Sequence, residues 1–96
     1  MMFFHAADIK DVLRTSRVTL IGALHPALRN GKPEYVAYIK PLVSEPHTKC
    51  AQLMKKLAAR GITAAIVWDA TAHVTGTSYP PDGAEELRIV VYPVRE

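Results

Sequence analysis

The sequence predicts an α+β fold in which a mixed sheet of about five strands packs on one long amphipathic helix and one short N-terminal helix. Three observations predict it. Cys50, Leu53, Met54, Leu57 and Ala58 follow the i, i+3, i+4, i+7, i+8 spacing of a helix with one buried face. Apolar, β-branched runs lie on both sides of that helix, bounded by Asn30-Gly31 and Pro80-Pro81-Asp82-Gly83, residue sets that turn a chain. Finally, 96 residues suffice for one hydrophobic core and not for two, so residues 1–96 read as a single small globular domain.

Each element has its own warrant. Ala6, Ile9, Val12 and Leu13 recur at helical spacing, and the pattern stops near Thr15-Ser16, which predicts the short first helix. Residues 17–28, with Val18, Leu20 and Ile21, suit a strand, and Asn30-Gly31 suits the positive φ of a hairpin turn. The return strand is expected over residues 34–43, with Pro33 and Pro41 at its ends because proline lacks an amide hydrogen. Ser44 or Glu45 serves as N-cap of the long helix, Pro46 fits its first turn and Gly61 stands where the helix stops.

Residues 62–68 read as a buried strand, expected to lie beside the second strand and parallel to it through a right-handed crossover. Residues 73–79 and 86–94 complete the order α-β-β-α-β-β-β as a hairpin across the second turn. Both faces of such a sheet look apolar, and one long helix covers only one. The other calls for the first helix with Phe3 and Phe4, or for a second copy of the chain, and a homodimer is the expectation.

Composition narrows the class. Hydrophobic residues at 49% and charged residues at 22% match a globular protein and exclude collagen-like or disordered readings. A lone cysteine forms no internal disulfide, and no apolar run approaches membrane-spanning length, so the expectation is a soluble cytoplasmic protein with no membrane partner. The formal charge of +3 is unevenly spread: residues 1–43 and 44–61 each sum to +3, and residues 62–96 to −3.

Two sets of residues are candidates for function. On the long helix, Lys49, Lys56 and Arg60 fall within a narrow arc with Lys55 nearby, and Arg29 and Lys32 flank the first hairpin turn. Such a row suits nucleic-acid phosphates or an acidic partner, although basic residues near a helix C-terminus also complement its dipole. The second set is a rim where two strands end and the long helix begins, with Lys40, His47 and Asp69 joined by His73, a combination able to do acid-base work.

Metal and cofactor motifs are absent. His47-x-x-Cys50 is the nearest to a ligand pair, and Cys50 belongs to the apolar stripe, so no metal and no cofactor is expected. Residues 35–68, with Lys40 closing a strand and an amphipathic helix leading to another strand, resemble the strand-helix-strand half of the PD-(D/E)XK nucleases over about a third of the chain. That family places an acidic residue two positions before the lysine, where this chain has Tyr38, so residue-by-residue transfer leaves Lys40 alone, without the carboxylates that hold Mg²⁺. Elimination favours a non-enzymatic module that binds another protein, as an inhibitor or regulator. The alternatives are a nucleic-acid-binding accessory protein using the basic helix edge, and a small enzyme or inactive nuclease-like domain using the Lys40-Asp69-His73 rim.

Overall fold

The computed structural model describes residues 5–69 and 83–92. Over them the chain is α+β, with helix α1 (Ala6–Thr15), strands β1 (His25–Arg29) and β2 (Lys32–Ile39), helix α2 (Pro46–Ala59), and strands β3 (Ala64–Asp69) and β4 (Glu85–Val91). The strands form a four-stranded sheet in the order β1-β2-β4-β3, in which every neighbouring pair is antiparallel. The expected strand at residues 73–79, with His73, lies outside the described residues. No helix among the described residues is long and apolar enough to cross a membrane.

Two expectations about the sheet need correction. The second and third strands do run in the same direction, but they are not neighbours, because β4 lies between them and bonds to both. Its core-facing residues Leu87, Ile89 and Val91 alternate with Glu86, Arg88 and Val90, and the apolar set extends the buried row across β2 and β3. The sheet of described strands is therefore antiparallel rather than mixed.

The first strand is also shorter than expected. Leu20 makes an isolated bridge to Ile39, flanked by hydrogen bonds from Ile21 N to Tyr38 O (2.7 Å) and from Lys40 N to Thr19 O (3.0 Å). Continuing that register would place Leu24 opposite Tyr35, whereas Pro26 stands there, so two extra residues interrupt the ladder. Gly22, at φ 77°, falls in the interruption. The β1–β2 turn has positive φ at both Asn30 (53°) and Gly31 (77°), as a two-residue hairpin demands, and β2 ends at Ile39 before Pro41.

Both helices pack on one side of the sheet. Ile9, Val12 and Leu13 of α1 and Cys50, Leu53 and Leu57 of α2 join Tyr35, Ala37, Ile39, Leu87 and Ile89 in one buried cluster, with Ala64, Ile66 and Trp68 packed against it. Glu45 is the N-cap of α2 by position, at φ 47°, and makes no side-chain bond to the helix amides. Both helices end in a Schellman motif. Val18 N reaches Leu13 O and Arg17 N reaches Arg14 O at the end of α1; Ile62 N reaches Leu57 O and Gly61 N reaches Ala58 O at the end of α2.

Candidate functional surfaces

The basic row on α2 is directed at α1. Lys49 Nζ donates to Ser16 O (3.3 Å) and Lys56 Nζ to Ser16 Oγ (2.9 Å), so two lysines of one arc converge on the residue that caps the first helix. Arg60 donates to Asp8 (3.4 Å) and to Asp11, which also accepts from Arg14. The Arg60 bond, followed by that from Arg14, holds the Asp11 carboxyl below its ordinary value, and Asp11 in turn raises the Arg60 guanidinium. Lys55 is exposed on another face of α2. Arg29 and Lys32 are cross-strand partners at the hairpin, on different elements from the row.

The expected rim forms at the end of the sheet where β2 and β3 finish and α2 begins, and its centre is a pair that the sequence reading missed. Trp68 donates its indole N–H to Glu85 Oε1 (2.9 Å), and the same oxygen accepts the amide of Leu42 (2.8 Å). The His47 ring stands edge-on to Trp68 with centroids 5.5 Å apart. One signal in the sequence pointed to Glu85: it shares the strand parity of Leu87 and Ile89, and a carboxylate on the apolar side of a strand must find donors. Asp69 lies on the other side of the sheet from Trp68, opposite Glu86, and Lys40 is exposed just beyond β2. The structure thus brings His47 to the tryptophan and sets Asp69 on the other side of the sheet.

Cys50 is buried in the apolar stripe, and burial pushes its thiol up, away from the reactive thiolate. No group of three His, Cys, Asp or Glu among the described residues is arranged to hold a metal ion.

The side of the sheet away from the helices is the third surface. Strand register arranges it in rows: His25, Val36, Arg88 and Val67 form one, and Tyr38, Glu86 and Asp69 form the next toward the rim. A third row, Ala27, Glu34, Val90 and Ala65, lies beyond the first. Glu34 is only 3% exposed and faces Arg88 at 4.0 Å, Val36 is buried, and Val67 at the β3 edge is 41% exposed. The rings of His25 and Tyr38 meet edge-on at 5.6 Å. A cationic row and an acidic row therefore adjoin on a face that also presents valines and a tyrosine.

Comparison of the chain with protein-family models, with curated proteins and with solved structures gives no match.

Proposed function

We propose that this chain is a protein-binding module, that its contact surface is the part of the sheet face opposite α1 and α2 where Val67, Arg88, Glu86 and Asp69 lie, and that its first partner is a second copy of itself. The observation that carries the reading is the adjacency of the Arg88 row and the Glu86 row, with Val67 exposed beside them. The rows are two residues apart, roughly 7 Å along the strands. A two-fold axis running across the strands between them sets Arg88 of each copy over Glu86 of the other, and Val67 over Asp69. Each copy thereby contributes one Arg88–Glu86 pair, with Arg88 also facing Glu34 of its own chain, and Val67 lies against Asp69.

Size sets the expected strength. Four strands about 4.8 Å apart, with about six residues each, span a patch of roughly 20 by 20 Å. This falls below a standard interface, so the pairing belongs to the weak, transient class with a Kd in the micromolar range or above. Sedimentation equilibrium from about 10 μM to 1 mM tests it. The expected result is a concentration-dependent dimer that Val67→Glu weakens at least tenfold while the circular dichroism stays unchanged. A wild-type chain that remains monomeric at 1 mM, or a dimer indifferent to the substitution, overturns the reading.

The basic edge of α2 supports nucleic-acid binding less well, because Lys49, Lys56 and Arg60 already donate to α1.

A further inference from the structure

A second binding surface lies away from the sheet face and independent of it. A cleft of about 310 Å³ opens between the C-terminal half of α1 and the segment that follows. Lys10, Arg14 and Arg17 line it together with Thr19, and its apolar part is formed by Leu13, Val18 and Leu20. Leu13 and Val18 are buried core residues, and Leu20 is half-buried. The side chains of Lys10 and Arg17 have no hydrogen bond or ion pair among the described residues, and Arg14 shares Asp11 with Arg60. The Lys40 amide donates to Thr19 O, which brings the backbone of a fourth basic residue to the margin.

With Asn30 and Glu45, Arg17 is one of the non-glycine residues in the left-handed region. It sits at φ 62°, in the left-handed region, at the position of the Schellman motif that glycine fills at the end of α2. A side chain there costs about 1 kcal/mol relative to glycine. The side chain carried there is a guanidinium that lines the cleft beside Lys10 and Arg14.

We infer that this cleft binds the phosphate of an organic phosphate, with the guanidinium groups of Arg14 and Arg17 and the ammonium of Lys10 around the anion and the rest of the ligand against Leu20, the apolar lining residue that is not buried. Guanidinium groups suit phosphate oxygens because they donate in a planar fork. The volume is at the lower end of small-ligand sites, so a single nucleotide unit, free or within a strand, is the ligand size it admits.

Amide chemical shifts followed by NMR in low salt test the inference, with ATP, inorganic pyrophosphate, adenosine and an eight-residue oligothymidylate as probes. ATP is expected to move the amides of residues 14–20 with a dissociation constant below about 1 mM, and adenosine to bind at least tenfold more weakly. Tighter binding of the oligothymidylate at the same amides assigns the phosphate to a strand, and tighter binding of ATP assigns it to a free nucleotide; either supports the site.

Arg17→Gly is the decisive variant, since it removes the charge while relieving the backbone and so does not fail through misfolding. It should lower ATP affinity by roughly tenfold or more. Lys32→Ala, equal in charge change and placed on the hairpin, should leave affinity within about twofold. The inference is overturned if ATP at 10 mM moves none of these amides, if Arg17→Gly binds as well as the parent, or if Lys32→Ala loses as much. None of these results bears on dimerisation through the sheet face.

Discussion

Arg17 and Gly61 hold the same position in two copies of one helix-ending motif, both in the left-handed region at φ 62° and 79°. The residue after each, Val18 or Ile62, is buried and closes the motif with its amide. A glycine adopts this conformation freely and an arginine does not. Arg17→Gly should therefore raise stability by about 0.5–1 kcal/mol, measured by urea unfolding. Gly61→Ala should lower it by a similar amount, and through the backbone alone, since a Cβ there meets nothing within 4 Å.

The cations of α2 tie the two helices together. Replacing Lys49, Lys56 and Arg60 together by alanine should lower the melting temperature, because Ser16 loses both lysines and Asp8 and Asp11 lose Arg60. Each exposed contact contributes modestly and is screened by salt, so the difference from the parent should shrink as ionic strength rises. An unchanged melting temperature at low salt would show that the row does not fasten α1.

Acid should loosen the same contact. Asp11 has a folded-state pKa depressed chiefly by its hydrogen bond from Arg60. Its contribution is therefore fully present above the unfolded aspartate pKa of about 3.9 and is lost as pH falls through the lower folded value. Asp11→Asn should destabilise the protein at pH 6 and flatten the fall in stability below about pH 4. A pH titration of unfolding free energy for both proteins checks the sign and the window.

Glu85 should prove a part-buried polar anchor. Its carboxylate oxygen accepts from both Trp68 Nε1 and Leu42 N, so Glu85→Ala strips two part-buried donors and is expected to cost about 1–3 kcal/mol. Trp68 is the chain's single tryptophan, so its fluorescence reports the change directly, and the emission maximum should shift in the native state. Unaltered emission together with unaltered stability would contradict the bond.

Leu53 tests the core. It is fully buried on α2 among residues of both helices and the sheet, and Leu53→Ala should cost about 2–5 kcal/mol by denaturant unfolding. Cys50, one turn earlier, should react with a thiol reagent only slowly in the native protein and faster as denaturant is added.

Local chemistry made some of this legible from the sequence. The α2 stripe of Cys50, Leu53 and Leu57, though not its last member Ala58, which is exposed, stands as read, as do Pro46 in the first turn, the stop at Gly61 and the Asn30-Gly31 turn, because each depends on residues within one or two turns of chain. The order of strands did not follow. Alternation identifies β4 as a strand but says nothing about its insertion between β2 and β3, which rests on pairings distant in sequence. Likewise, the row of Lys49, Lys56 and Arg60 was visible as a row, while its targets Ser16, Asp8 and Asp11 lie in another helix. Arg17 reads in the sequence as the first residue of a strand over 17–28, and nothing in the apolar pattern marks its left-handed backbone.

Isotope-filtered NOE spectroscopy on a mixture of labelled and unlabelled chains reads directly whether the sheet face pairs with its own copy. Cross-peaks between copies are expected at the methyl groups of Val67 and Val90 and at the protons of Arg88, and none at Lys55 on the exposed face of α2. Cross-peaks confined to the helices, or none at concentrations up to 1 mM, would contradict the pairing.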